Sequence, residues 1–305
     1  MQKTKRQHYV PQFYLRKFSE DGNSIFVFDK VRRAIFNSSI INVAQERYFF
    51  DLPEEVTGDE DPQIVEQVFA ELETTYASLL DKLLQALVRK RRFNPKYKIQ
   101  LAFFISIQFL RTREYRQNQA QLRKAIVDVI NQEFAKEGMW LEYGYKDEAV
   151  NHFISLFNPK LVEALTEVLL KHIWVIWNNK TEHPFYTSDN PVVVASRIQK
   201  SAGFASPGVE ILLPLNSKLL LSICEKNYFS NLSSSDCKVR NLYDDAQVKY
   251  YNRLQVINAF RQVYCSSQHF SLAEEVCEQT PNLCDPNRQR VEVEQYGDII
   301  KFSFK

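Results

Sequence analysis

Glycine is scarce, with 7 in 305 residues. Neither a Gly-x-x-x-x-Gly-Lys-Ser/Thr loop nor a Gly-x-Gly-x-x-Gly loop occurs, so the usual phosphate cradles of P-loop and dinucleotide-binding folds are missing. We therefore expect no P-loop nucleotide and no NAD. The five cysteines (Cys224, Cys237, Cys265, Cys277, Cys284) are odd in number, confined to the last third and without a Cys-x-x-Cys pair. That pattern argues against a disulfide framework and a thiolate zinc site. His8, His152, His172, His183 and His269 show no His-x-x-x-His spacing, which removes local support for a histidine-rich metal site. The longest apolar run, Leu101 to Leu110, is interrupted by Ser106 and Gln108 and is too short to span a bilayer. The opening MQKTKRQHYV is basic but lacks the apolar core of a secretory leader. A net charge of +2 is too small for strong attraction of nucleic acid over the whole surface. These absences lead to the expectation of a cytoplasmic protein with reduced thiols and no membrane partner.

What is present reads as one α+β domain over 1–305: strand-rich ends at 20–52 and 172–224, a helical middle at 62–171, and a C-terminal helix at 246–264. No repeat and no Ser/Thr/Pro-rich linker divides it. Strands are expected at Ser24–Phe28, Ala34–Phe36 and Arg47–Leu52, followed by an acidic loop at Glu54–Asp61. A helix over about Pro62–Arg92 carries Val65, Phe69, Leu72, Tyr76, Leu80, Leu83 and Leu87 at steps of three and four. A second helix, about Pro95–Glu137, begins apolar on nearly every side and turns polar beyond Tyr115, where it is expected to project into solvent. A third spans about Asp147–Lys171 with an interruption at Asn158-Pro159. His172–Asn178, Phe185–Ser188, Val192–Ala195, Val209–Leu213 and Leu219–Cys224 read as consecutive strands. A last helix covers Ala246–Tyr264, and Arg290–Lys305 reads as a hairpin turning at Gly297-Asp298. Helices in the middle and strands at both ends suggest a central long-helix bundle packed on a mainly antiparallel sheet.

Several residues carry chemistry. Phe185–Pro191 is a short β-like run halting on Asp189, Asn190 and Pro191, which is how a strand end presents polar groups. Glu66 and Glu73 fall within ~20° of each other on the flank of the apolar stripe. They are an acid pair, metal ligands, or partners of a basic residue on a neighbouring helix, and the last is preferred. Arg111 shares a face with Phe104 and Ile107, so its guanidinium leaves the core needing a carboxylate or an anionic ligand. Arg113 follows it. Arg89–Lys98 forms a basic corner that can hold phosphates or simply be solvated surface. His8 precedes a short helix opened by Pro11, with Gln12, Tyr14, Leu15 and Phe18 following.

The segment His8-Tyr9-Val10-Pro11 with Leu15 and Phe18 resembles the opening of a widespread microbial family of unknown function, whose members begin His-x-x-Pro-x-x-x-Leu-x-x-Phe. The resemblance continues through Glu66–Glu73, Leu110-Arg111 to Arg116, Thr187–Pro191, Pro214-Leu215, Asn252 and Arg261–Tyr264. It implies a single domain and a shared site from about residue 7 to 267, and it brings no activity with it. On the residues themselves, an enzyme would use His8, Asp189 and Glu66 as catalytic groups, with Arg111, Arg113, Asn190, Glu73 and Gln12 binding substrate. A phosphodiester or another phosphorylated compound is then the natural substrate, hydrolysed in a nuclease-like reaction compatible with a divalent metal. The alternatives are a non-catalytic nucleic-acid-binding or partner-binding, defence-associated protein, or a polar set that only fixes the fold.

Overall fold

A computed structural model describes residues 4–58, 61–90, 94–135, 147–199, 202–296 and 299–304. The N-terminal part runs β1 (Arg6–His8), α1 (Gln12–Leu15), β2 (Ser24–Asp29), β3 (Ala34–Ser39), β4 (Gln45–Arg47) and α2 (Glu54–Thr57). The helical middle is α3 (Ile64–Lys90), α4 (Tyr97–Leu110), α5 (Arg113–Phe134), α6 (Glu148–Leu156) and α7 (Pro159–Lys171). Then come β5 (Ile173–Asn179), β6 (Thr187–Ser188), β7 (Val193–Ser196), β8 (Val209–Pro214), β9 (Leu219–Cys224) and β10 (Lys238–Leu242). The chain closes with α8 (Asp245–Asn258), β11 (Gln262–Cys265), α9 (Ser271–Gln279), β12 (Val291–Tyr296) and β13 (Ile299–Phe304).

The α+β class holds, with the strands divided between two main sheets. One is five-stranded in the order β10-β5-β9-β8-β7, antiparallel except for the β10–β5 pair. The other is antiparallel in the order β3-β2-β11-β6. Strand β5 shows why its sequence is apolar from Ile173 to Trp177. Trp174 and Ile176 join the helical core, whereas Ile173 and Val175 pack on the opposite face with Cys224. Residues of α3, α4 and α7, together with Tyr14, Leu15 and Phe18 of the N-terminal arm, form the main core with Trp174, Ile211, Leu221 and Ile223. Helix α8 covers the other face of that sheet through Val248 and Tyr251 against Phe185, Leu212 and Leu220. Helix α9 packs Ala273 and Val276 with Phe28 and Val263 of the second sheet. The arm is also fixed by a polar tie: Tyr14 Oη donates to the Pro214 carbonyl at 2.7 Å and lies 2.8 Å from Thr187 Oγ1.

Several expected elements change. The helix expected over Pro95–Glu137 is two helices. Thr112 Oγ1 accepts the Tyr115 N–H at 3.3 Å, an N-cap that opens α5 where α4 ends. The expected end of that helix lies outside the described residues. The polar half of α5 does not stand free in solvent, because Gln121 bonds the Arg288 carbonyl and the Arg290 N–H at 3.0 and 2.7 Å. The expected helix Ala246–Tyr264 stops at Asn258; Ala259 turns to extended backbone and the rest becomes β11, between β2 and β6. In place of a strand over Arg47–Leu52, the chain leaves β4 at Arg47 and turns at Tyr48, whose φ is 54°. Half of the expected Glu54–Asp61 loop is the short helix α2. The Asn158-Pro159 break holds, with Asn158 capping α7 and Pro159 in its first turn. The C-terminal hairpin also holds, pairing Tyr296 with Ile299, while its Gly297-Asp298 turn lies outside the described residues. Among the described residues, no helix is long and apolar enough to cross a membrane.

Candidate functional site

Five of the eight candidate residues gather where the N-terminal arm meets α3 and the end of α4. Arg111 is the C-cap of α4, a position where a cation complements the exposed carbonyls. It is 3 % exposed. Its Nη2 donates to Glu73 Oε1 at 2.8 Å and to the His8 carbonyl at 2.5 Å. The Phe69 ring lies 4.1 Å from the guanidinium carbon and the Phe50 ring 5.9 Å. The carboxylate that Arg111 needs is therefore Glu73, in the helix-to-helix bridge preferred for that residue. Arg111 Nε is buried without a hydrogen-bond partner, and His8 Nε2 makes no hydrogen bond of good geometry, although the Ile40 and Ile41 backbone lies close enough to the imidazole to favour its protonated form.

Glu66 stands two turns before Glu73 on α3 and so shares its side of the helix. Burial pushes its carboxyl up to about 7; Arg111 opposes that shift, while Glu73 and Asp51 add to it. Asp51 is held beside this group by the side-chain amides of Gln7 and Gln63, at 2.5 and 2.9 Å. Burial, reinforced by Arg111, pushes the His8 imidazole down to about 4. Gln12 Nε2 approaches His8 Nδ1 at 3.5 Å, the limit of a hydrogen bond. Arg111 thus acts on two groups, a carboxyl that holds its proton close to neutrality and an imidazole that stays neutral in mild acid.

The other three candidates lie in different surroundings. Asp189 is fully buried, and its carboxylate accepts the backbone N–H groups of Phe260, Arg261 and Gln262 at 2.8, 2.8 and 2.7 Å. These bonds cap the corner where α8 gives way to β11. The same corner has its carbonyls met by cations: Lys30 Nζ donates to Val256 and Ala259, and Arg288 to Ala259 and Phe260. Burial raises the Asp189 carboxyl to about 6 against the pull of those N–H groups and Lys30. Asp189 makes no ion pair with Arg111, whose carboxylate partner is Glu73. Asn190 accepts from the Thr112 hydroxyl at 3.0 Å and donates to the Asn258 carbonyl at 3.0 Å, tying the α4–α5 junction to the end of α8. Arg113 pairs closely with Glu46 and lies over the Phe260 ring at 4.8 Å.

Asp189 and Arg113 line a cleft of about 790 Å³, together with Tyr9. His8 and Tyr9 are adjacent in sequence yet meet different charges: His8 responds to Arg111 and Arg16, Tyr9 to Asp189, Arg113 and Arg261. The N-terminal signature thus runs between two polar groups.

Four residues of these surroundings were not singled out in the sequence: Tyr9, Asp51, Arg116 and His152. Tyr9 and Arg116 lie within the resemblance motifs, which was their available signal. Arg116 Nε donates to His152 Nδ1 at 3.0 Å, and His152 Nε2 donates to the Leu110 carbonyl at 2.7 Å. Burial pushes that imidazole down to about 3, which makes it a neutral core histidine. In the basic corner, Lys98 is committed to Asp236 at 3.0 Å and lies over Trp174. Arg91 and Arg92 are outside the described residues. Among the described residues, no three His, Cys, Asp or Glu side chains are grouped so as to hold a metal ion.

Residues 6–269 match a protein-family model described as a protein of unknown function, DUF4238. No curated protein and no solved structure matches the chain.

Proposed function

The chain belongs to the DUF4238 family of unknown function, and from its own residues we propose a hydrolase acting on a phosphodiester, with His8, Glu66 and Arg111 at its chemical centre. The observation that carries this reading is the buried Arg111 guanidinium, which holds the His8 carbonyl through Nη2 and leaves Nε without a partner. Buried polar groups normally find partners, so such atoms suit a ligand that supplies acceptors. Glu73 already neutralises Arg111. With Glu66 protonated the centre is close to neutral, which suits a monoanionic diester better than a dianionic monoester. Gln12 orients His8, and Glu73 orients Arg111. Asp189 and Asn190 are assigned to the framework, and Arg113 to the neighbouring cleft.

The reaction assigned to these groups is simple. Neutral His8, with its proton on Nε2, takes a second proton on Nδ1 from water in place of the long Gln12 contact, as the water oxygen bonds to phosphorus; Arg111 stabilises the charge gathering on the phosphoryl oxygens, and Glu66 gives its proton to the departing oxygen as its bond to phosphorus breaks. Environments that push two titratable groups in opposite senses define such acid and base roles. His8 is competent above about 4 and Glu66 below about 7. Hydrolysis of bis(p-nitrophenyl) phosphate is expected to follow a bell-shaped pH profile with limbs near those values. Glu66→Gln is expected to lower the rate ~100-fold, within the usual range for loss of a general acid. A profile rising through pH 8, or a Glu66→Gln enzyme as fast as the parent, would overturn the assignment.

A second reading, nucleic-acid binding without catalysis, is favoured by one separate feature. A groove of about 590 Å³ is lined by Lys17, Lys180 and Lys218 with Leu87, Val88 and Leu219, and no carboxylate is among its lining residues.

A further inference from the structure

The cleft beside Tyr9 is walled by the turn after β2, the segment entering β4, the first turns of α5 and the corner between α8 and β11. At about 790 Å³ it falls in the size range of small-molecule sites. Its acidic groups are largely spent. Asp29 accepts the Val31 and Arg32 N–H groups and the Arg261 guanidinium, with the shortest of these contacts at 2.7 Å. Asp189 is filled by three backbone N–H groups, Glu46 pairs with Arg113, and Glu148 accepts from Gln117 at 2.9 Å.

Donors, by contrast, are left over. Tyr9 is 6 % exposed, and its hydroxyl makes no hydrogen bond within the described residues, although it senses Asp189, Arg113 and Arg261. The Arg113 Nε is buried without a partner. One buried acceptor, Gln45 Oε1, is also unpartnered in the same wall. Buried polar groups normally have partners, so a ligand that supplies them gains affinity.

We infer that this cleft binds a small hydroxylated molecule carrying one phosphate or carboxylate group. The oxyanion is met by Tyr9 and Arg113, and the ligand's hydroxyl by Gln45. Because it is read from binding, this inference is independent of the hydrolase reading.

Isothermal titration of the full chain with glycerol phosphate, glycerate and glycerol tests it. Saturable binding of glycerol phosphate, glycerate or both is expected, with none for glycerol; which anion binds identifies the oxyanion. Tyr9→Phe removes only the hydroxyl and is expected to weaken that binding about 10-fold, the worth of one charge-assisted hydrogen bond. Arg113→Gln is expected to weaken it at least as much, and Lys226→Ala, on the exposed surface away from both clefts, to leave it unchanged. Absence of saturable binding by both anions, or binding that Tyr9→Phe leaves unaltered, would overturn the inference.

Discussion

Asp189 shows how much a single side chain can hold. Its carboxylate has no solvent contact and accepts three consecutive backbone N–H groups, those of Phe260, Arg261 and Gln262. An amide in its place offers one acceptor oxygen and turns a donor toward those donors. Asp189→Asn is expected to cost about 3 kcal/mol or more, from the loss of charged hydrogen bonds and the stranding of buried N–H groups. A urea midpoint unchanged from the parent would show that the corner is held by something else. The sequence marked Asp189 for its position at a strand end. The local turn there is in fact made by Ser188, whose Oγ accepts the Asn190 N–H at 3.2 Å. The partners of Asp189 lie 71–73 positions further on, beyond the reach of any local pattern. Arg111 was more legible, because an arginine on a buried helical face demands an acid, and Glu73 stood on the neighbouring helix.

At the level of elements, periodicity was a good guide wherever one face met one core. Helix α3 came through within two residues of its expected start for that reason, and its expected end at Arg92 lies outside the described residues. It failed where polar contacts from far away decided the outcome. Asp29 meets Arg261 across 232 positions, and β2 pairs with β11, so a segment that reads as helix becomes a central strand. The α4–α5 break is a milder case, since a lone threonine in an apolar helix is a weak signal until its cap is seen. Thr112 both caps α5 and donates to Asn190, a residue that itself holds the end of α8. Thr112→Val keeps the shape but removes both bonds. We expect a loss of about 2 kcal/mol, one part from the cap and one from the stranded Asn190 oxygen. Chemical denaturation measures it, and a loss below about 0.5 kcal/mol, the scatter of ordinary surface substitutions, would mean that the junction is set by packing alone.

For the whole molecule, a net charge of +2 leaves little long-range field, so any hold on nucleic acid has to come from a local concentration of lysine. The groove lined by Lys17, Lys180 and Lys218 supplies one, although Lys17 is already paired with Asp81. Fluorescence anisotropy with single-stranded DNA is expected to give a slope of log K against log salt of about −2 for three phosphate contacts. Replacing Lys180 and Lys218 by Ala should bring it to about −1 or less. Absence of binding at low salt would remove the binding reading and leave the hydrolase reading intact.

The tie from Tyr14 to Thr187 and Pro214 spans 173 and 200 positions, and it sets an order in time. On the ribosome, the arm bearing His8 and Tyr9 is made before its anchors, which do not exist until the chain has passed residue 214. The N–H groups that hold Asp189 come later still, at residues 260–262. The arm is therefore closed long after it is made, and a chain that has not passed residue 262 lacks the Asp189 corner.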